Sequence, residues 1–99
     1  MRLLWTASAA ADRRSIRNWI ARDNPRAAIA LDTLFAAKAA TLLEHPGLGR
    51  TGRVADTREL VAHKNYLLIY DVTPNAVRIL RVLHTARQWP QQTGTRDRR

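Results

Sequence analysis

The chain has 99 residues, with 17 Lys plus Arg against eight Asp plus Glu, so its formal net charge is +9. This length is enough for one domain with a modest core, and the 45% hydrophobic content is typical of a globular protein. The chain has no cysteine, which excludes a disulfide framework and a thiolate zinc site. Fifteen of the basic residues are Arg, which suits bidentate contact with phosphate or carboxylate. We therefore expect a polyanionic partner, either nucleic acid or an acidic protein segment.

The N-terminal segment has only a short apolar run. Arg2 to Trp5 are predicted to form a first strand, and charged residues follow within a few positions. A secretory signal or a membrane span needs a longer apolar stretch. We therefore expect neither, and a cytoplasmic protein.

Two helices are predicted next. Ser8 is a suitable N-cap for a helix that runs to about Arg22, and Trp19 falls on its apolar face, which predicts a core position for this residue. Asn24 is a favoured N-cap with Pro25 at the first helical position, and this second helix is predicted to run to about Glu44. The short break between the helices predicts an antiparallel helical hairpin.

The loop that follows the second helix, HPGLGRTGRV at 45–54, alternates glycines with arginines. Glycine-rich loops that bind phosphate are preceded by a strand and followed by a helix. Here a helix precedes the loop and a strand follows it. The pattern therefore favours a connecting loop, whose arginines could still contact a polyanion.

From Thr57 onward the apolar residues follow the period of strands. The segments TRELVAH, YLLIYDV and AVRILRVL predict three strands, joined by tight turns at Lys64-Asn65 and Pro74-Asn75. The last of them is apolar on both faces, which predicts a central strand. The polar tail QQTGTRDRR is predicted to be mobile. We thus expect a single domain at 1–90 and a tail at 91–99.

Two-residue turns would fix the pairing of these strands and so divide their residues between two faces. We expect the helical hairpin to cover one face, which also places Asp71 in ion pairs with Arg58 and Arg78. The opposite face is expected to stay open as a partner surface. The covered face would carry Arg58, Leu60, Ala62, Leu67, Ile69, Asp71, Arg78, Leu80 and Val82. The open face would carry Glu59, Val61, His63, Tyr66, Leu68, Tyr70, Ile79, Arg81 and Leu83.

The predicted fold class is α+β, with an N-terminal strand and an antiparallel two-helix hairpin packed on a C-terminal antiparallel sheet, in the order β-α-α-β-β-β. Several short segments accompany this order. They are W-T-x-x-A-x-x-D from Trp5, Asn24-Pro25, H-P-x-L-G-R-x-G-R from His45, T-R-E-L-V from Thr57, Y-L-L-I-Y-D-V from Tyr66, I-L-R-V-L-H from Ile79, and Trp89-Pro90. Together with the basic charge, they resemble the RelE/ParE superfamily of bacterial toxins over nearly the whole chain.

This resemblance implies the toxin of a type II toxin–antitoxin module, neutralised by an acidic ParD-like or RelB-like antitoxin in a hetero-oligomer. An antitoxin segment that folds onto the toxin would place apolar residues on the hydrophobic surface and carboxylates near arginines. The residues that we expect to contact it are Arg13, Arg17, Glu59, Tyr66, Tyr70 and Arg81.

The resemblance also implies one of two targets for the free toxin. RelE-like members cleave mRNA on the ribosome, whereas ParE-like members inhibit DNA gyrase. RNA cleavage needs a general base, a general acid and cations for the developing phosphorane charge. RelE-like toxins carry an Arg directly after the Tyr that begins the second strand of the meander. Here Leu67 follows Tyr66, and Leu60 falls where RelE has a Lys.

The departures at Leu60 and Leu67 favour the gyrase inhibitor, with mRNA cleavage as the alternative. On the first reading the residues that bind the target are Arg81, His84, Arg87 and Trp89. On the second, His84 would act as acid or base beside stabilising arginines, and the catalytic set would be Arg58, Arg81, His84 and Arg87. Glu59 could also pair with His84, but the predicted register places these two residues on different faces.

A plain nucleic-acid-binding module is the third interpretation. The basic first helix suits it, but the chain shows no recognition helix and no stacking pattern. Metal catalysis is not expected, because His45, His63 and His84 lie on separate elements without ligand spacing. No cofactor is predicted.

Overall fold

The computed structural model describes residues 1–85. Arg87, Trp89 and the tail predicted at 91–99 lie outside this part of the chain, and so does the predicted domain boundary at residue 90. The helices and strands, in chain order, are β1 (Arg2–Trp5), α1 (Ala7–Ala21), α2 (Pro25–Thr41), β2 (Arg50–Thr51), β3 (Arg58–His63), β4 (Tyr66–Val72) and β5 (Ala76–His84).

The strands form one five-stranded sheet in the order β1-β5-β4-β3-β2. The predicted order of elements is confirmed, and β5 lies inside the sheet between β1 and β4, although the middle strand is β4. β1 pairs with β5 in parallel, whereas the other neighbours are antiparallel. The sheet is therefore mixed. The two-residue β2, which the sequence did not predict, extends it at the edge beside β3.

The helix ends follow from capping side chains. Thr6, and not the predicted Ser8, caps α1, because its Oγ1 accepts a hydrogen bond from the Ala9 N–H at 3.1 Å. The same hydroxyl donates to the carbonyl of Leu80 at 2.9 Å, which joins the start of α1 to β5. The predicted Asn24 cap is confirmed, since its side chain accepts from the Ala27 N–H. α2 ends at Thr41, one turn earlier than predicted.

Ion pairs connect the two helices of the hairpin. Asp32 of α2 accepts from Nε of Arg13 at 2.9 Å, and Arg17 lies 3.5 Å from the same carboxylate. The Arg13 guanidinium also lies 4.3 Å from the ring centroid of Trp5. Two of the basic residues of α1 are therefore engaged in holding the hairpin together and in packing it against β1.

The hairpin covers one face of the sheet and encloses the main core. Phe35 and Tyr70 are the largest of the fully buried side chains. A second, smaller cluster occupies the other face, and it contains Leu67, Ile69 and Leu83 with Leu80 beside them. The buried residues of the main cluster are Ala9, Phe35, Ala39, Leu42, Leu60, Ala62, Leu68, Tyr70, Val77, Ile79 and Val82.

The predicted division of the sheet into a covered and an open face is wrong, because each hairpin contains a β-bulge. The turns themselves lie where the sequence placed them, with His63 opposite Tyr66 and the Thr73 N–H bonded to the Ala76 carbonyl. The pairing then shifts by one residue, at Ala62 in β3 and at Leu80 in β5. A shift of one residue moves the following side chains to the other face.

The bulges redistribute the two predicted sets of residues. Leu68, Tyr70 and Ile79, predicted to be open, join the core under the helices. Leu67 and Ile69, predicted to lie under the helices, belong to the cluster on the other face. Both faces are buried at the centre of the sheet.

Of the two ion pairs predicted for Asp71, one is present. Nε of Arg78 donates to Asp71 Oδ1 at 2.8 Å across the β4–β5 pair. The hydrogen bond with Asp71 and its negative charge raise the pKa of Arg78 above its ordinary value. The predicted pair with Arg58 is wrong, because Arg58 lies opposite Tyr70 and donates to a loop carbonyl instead.

Trp19 is the clearest departure from the helix prediction. Its side chain is 67% exposed rather than packed in the core, and the Arg22 guanidinium lies 5.2 Å from its ring centroid.

In residues 1–85 no helix is long and apolar enough to cross a membrane.

Candidate functional site

A groove runs between α1 and the C-terminal end of β5. It encloses about 580 Å³, and we call it the Trp19 groove. Its lining combines apolar, aromatic and polar side chains, a composition typical of binding sites. The lining residues are Asp12, Ser15, Ile16, Trp19, Tyr66, Val82 and His84.

Asp12 attaches α1 to β5 at the base of this groove. β1 pairs with β5 only as far as Ile79, so β5 continues beyond the last residue of its neighbour on that side. There Asp12 Oδ2 accepts from the Val82 N–H at 2.9 Å and from Arg81 Nε at 2.7 Å, while Oδ1 accepts from Arg81 Nη2 at 3.1 Å. The carboxylate thus takes the place of a strand partner and fixes where α1 crosses β5.

The same contact determines the electrostatics of Arg81. Its hydrogen bonds with Asp12 raise the pKa of Arg81 above its ordinary value, although partial burial acts in the opposite direction. Arg81 is therefore a permanent cation whose fork binds a carboxylate in two places. Its contact with Asp12 holds α1 in place against β5.

An aromatic cluster forms the end of the groove near the β3–β4 turn. The Tyr66 ring meets Phe35 edge to face at 5.5 Å and His84 at 5.3 Å between centroids. The His63 ring lies 6.1 Å from Tyr66, and its Nδ1 accepts from the Asn65 N–H at 3.2 Å. Tyr66 is half-buried and His84 is exposed, so both can be reached from the groove.

A different set of predicted residues holds the loop that precedes β2. The Tyr70 hydroxyl donates to the Pro46 carbonyl at 2.7 Å and accepts from the Gly49 N–H at 2.8 Å. Arg58 Nη1 donates to the Gly49 carbonyl at 2.8 Å. A Cβ at Gly49 would lie 2.7 Å from the Tyr70 ring, so the loop approaches this closely only with glycine there.

Glu59 fixes the following part of the same loop. Its carboxylate accepts from Arg50 at 3.1 Å across the β2–β3 pair, and the residue is only 5% exposed. Tyr70 is fully buried. The prediction that Glu59 and Tyr70 lie on an open binding face is therefore wrong, because burial removes both side chains from the surface that a partner could contact.

The structure brings together some of the predicted site residues and separates others. Arg81, His84 and Tyr66 lie in or beside the Trp19 groove. Arg58 and Glu59 hold the loop at 46–53 instead. The two remaining described candidates, Arg13 and Arg17, lie in the helical hairpin and bind Asp32.

Five of the seven residues that line the groove were not among the predicted site residues, namely Asp12, Ser15, Ile16, Trp19 and Val82. A signal for Asp12 was present, since it closes the W-T-x-x-A-x-x-D segment that begins at Trp5. No signal in the sequence identified Trp19, because its spacing matches the apolar face of α1.

In the part of the chain that the structure describes, no three metal-binding side chains lie close enough to hold an ion.

Comparison with known proteins gives a consistent result. Residues 3–89 match the family described as the ParE toxin of the type II toxin-antitoxin system, parDE. The chain is 37% identical over 91 residues to the Y4kP protein of Sinorhizobium fredii. This match covers 91% of this chain and 94% of that protein. It is 36% identical over 85 residues to the toxin RelE2 of Caulobacter vibrioides, covering 86% and 96% of the two chains.

Solved structures show the same fold. A chain of the chromosomal ParDE TA system from P. aeruginosa superposes with a TM-score of 0.77 at 25% identity, and the match covers 85% of this chain and 95% of that one. The YoeB/ParE toxin from Agrobacterium tumefaciens superposes with a TM-score of 0.59 at 17% identity, covering 85% and 98%.

Proposed function

Because the chain belongs to the ParE toxin family of type II toxin–antitoxin systems, we propose that it arrests growth by inhibiting DNA gyrase and is neutralised by an acidic antitoxin. On this proposal the protein acts in the cytoplasm, where its target lies. His84 and the cation of Arg81, at the end of β5, belong to the surface that binds the target. Arg87 and Trp89 remain candidates for that surface from the sequence alone.

One observation carries the preference for inhibition over RNA cleavage. Three of the described polar residues that a cleavage site would use are bound to other protein groups. Arg81 donates twice to Asp12, and Arg58 donates to a backbone carbonyl. Glu59 is buried against Arg50. A catalytic cation must instead direct its donors at the charge that develops in the transition state.

The position after Tyr66 supports the same preference. Leu67 is only 9% exposed and packs with Ile69 and Leu83. RelE-like toxins carry an Arg at that position. An apolar side chain that is committed to a core cluster supplies neither a cation nor a proton.

Cleavage of mRNA is the second candidate, and one observation favours it. His84 is exposed on the groove and its ring meets that of Tyr66. Histidine is the side chain that most often acts as general acid or base in enzymes. On this alternative His84 would transfer the proton. Arg81 is bound to Asp12 and Arg58 to the Gly49 carbonyl, so a different cation would have to stabilise the charge of the transition state.

In the helical part of the proposed antitoxin surface, Arg13 and Arg17 also have a structural role. Arg13 and Arg17 bind Asp32, so a change at either residue would disturb the hairpin as well as a partner. Arg14, Arg22 and Arg26 are exposed on the same hairpin. With a net charge of +9, these exposed arginines favour an acidic partner segment.

The test compares the two targets directly with purified protein. We expect a stoichiometric excess of toxin to stop supercoiling by gyrase and to leave mRNA on translating ribosomes uncut. His84→Ala should weaken the inhibition, because it removes an exposed ring at the proposed contact. His45→Ala is the matched control, an exposed histidine in the loop after α2, and it should inhibit as the wild type does. Full supercoiling at excess toxin, together with cut mRNA, would reverse the assignment.

A further inference from the structure

A second, smaller hollow lies on the outer surface of α1, away from the Trp19 groove. It encloses about 370 Å³ and is lined by Ser15, Asn18, Trp19 and Arg22, and we call it the α1 hollow. Residues three and four apart lie next to each other on a helix, so α1 and its C-cap residue supply this whole lining. The hollow thus combines a hydroxyl, an amide, an indole and a guanidinium.

The indole of Trp19 forms an exposed flat surface with a cation beside it. Its side chain is 67% exposed, and the Arg22 guanidinium lies 5.2 Å from the ring centroid. Proteins that bind single-stranded nucleic acid stack bases on aromatic rings of this kind, and nearby arginines add cation–π contacts. The pair therefore has the chemistry of a stacking platform.

The surroundings of the α1 hollow are strongly basic. Between residues 14 and 26 the chain has four arginines and one acidic residue, Asp23. Arg14, Arg22 and Arg26 are exposed. With a net charge of +9 for the whole chain, a basic stripe along a helix is the pattern of proteins that bind the phosphate backbone.

The helix ends do not oppose an anion at this place. The C-terminal end of α1 carries a partial negative charge, but α2 begins at Pro25, only a few residues further on. The partial positive charge at the start of α2 offsets it. The net field at the α1 hollow is therefore set by the arginines.

We propose that the α1 hollow binds single-stranded nucleic acid, with one base stacked on Trp19 and a backbone phosphate bound by Arg22. The Ser15 hydroxyl and the Asn18 amide line the same hollow and donate hydrogen bonds to the strand. This inference goes beyond the proposed inhibition of gyrase, because it concerns the outer surface of α1 and not the end of β5.

The lining favours a base over the side chain of a protein partner. Anchor side chains at protein interfaces bind in apolar pockets that exclude water. Among the described residues, no aliphatic side chain lines the α1 hollow. A base needs only the face of the indole, whereas the bases of a duplex are already stacked inside it. An acidic protein segment is the competing occupant and is an outcome of the test.

Fluorescence anisotropy of a labelled strand of about 12 nucleotides, titrated with the whole toxin at low salt, measures the Kd. Trp19→Ala should raise the Kd at least about fivefold, which corresponds to the loss of one stacked base. Ile29→Ala is the matched control, since Ile29 is 64% exposed on α2, and it should change the Kd by less than about twofold. Both side chains are exposed, so circular dichroism should show unchanged folding. Equal effects of the two variants would overturn the proposal.

A salt titration tests the phosphate contact. Arg22→Gln should reduce the slope of log Kd against log salt concentration by about one, because one phosphate contact is lost. Arg53→Gln removes the same charge from an exposed position in the loop at 46–53, and it should leave the slope unchanged. If both variants reduce the slope equally, the strand responds only to net charge, and the α1 hollow is not its site.

An abasic strand of the same length separates stacking from phosphate binding. It keeps the phosphates but has no base to place on Trp19, so it should bind the wild type at least about fivefold more weakly than the complete strand. Equal binding of the two strands overturns the proposal.

DNA and RNA strands of one sequence distinguish the source of the ligand. Binding of either one, weakened by Trp19→Ala, supports the proposal and identifies the strand. If neither binds, while Trp19→Ala weakens binding of the antitoxin encoded beside the toxin, the occupant is a protein segment and the proposal is overturned.

Discussion

Replacing Asp12 with alanine should loosen the attachment of α1 to β5. The change removes the acceptor of two hydrogen bonds from Arg81 and of one from the Val82 N–H. It leaves a guanidinium and a backbone donor without this acceptor in a half-buried place. No other strand pairs with β5 on that side beyond Ile79 in the described sheet, so no neighbouring strand supplies a replacement acceptor for the Val82 N–H.

The expected loss follows from these three bonds. Hydrogen bonds to charged groups contribute about 1.5–3 kcal/mol, and an orphaned buried donor costs about 1–3 kcal/mol. Arg81 is 24% exposed and Asp12 17%, so water reaches the broken pair and reduces the loss. We expect Asp12→Ala to lower the free energy of unfolding by about 2–3 kcal/mol. Asp12→Asn keeps an acceptor for Val82 and should lose about 1 kcal/mol.

Urea unfolding of the purified toxin measures both variants. With a slope of about 1.5 kcal/mol per M, a loss of about 2.5 kcal/mol lowers the midpoint by about 1.7 M. A double-mutant cycle with Arg81→Ala should return a coupling of at least about 1 kcal/mol. The reasoning is refuted if Asp12→Ala loses less than about 0.5 kcal/mol, the range of ordinary surface substitutions. Equal losses in the Ala and Asn variants would also refute it.

Two further predictions test the loop and the hairpin. Tyr70→Phe removes the hydroxyl that the loop at 46–49 binds and should lower the free energy of unfolding by about 1–3 kcal/mol in thermal melts; an unchanged melting temperature would show that the loop does not depend on it. Arg13→Gln should destabilise the toxin, because it breaks the pair with Asp32, whereas Arg14→Gln should keep the melting temperature and weaken only antitoxin binding. The reverse result would place the antitoxin contact on Arg13.

Local sequence signals identified both helices and four of the five described strands, but not the two-residue β2. The Asn24-Pro25 cap and the two turns at Lys64-Asn65 and Pro74-Asn75 depend on short-range chemistry, and all are found where the sequence placed them. The Asp71–Arg78 ion pair was also predicted, because it lies between the β4–β5 turn and the bulge at Leu80. Beyond each bulge, counting residues from the turn assigned the side chains to the wrong face of the sheet.

The bulges at Ala62 and Leu80 have no signature in the apolar pattern, because residues on both faces are hydrophobic at the centre of the sheet. A strand that is apolar on both sides can shift by one residue without exposing anything polar, so periodicity cannot fix its register. For this reason the assignment of Glu59 and Tyr70 to an open face was wrong.

The sequence by itself determined the order of elements, the family resemblance and the basic charge, since these depend on composition and on neighbours along the chain. Only the tertiary structure decided which polar groups are engaged. Asp12 lies 69 residues from Arg81 in sequence, yet their contact sets the walls of the Trp19 groove. Trp19 has the spacing of a core residue on α1, but the sheet that would cover it ends at Tyr66 and His84. Whether a helix face is buried depends on the extent of the surface packed against it, which no local pattern encodes.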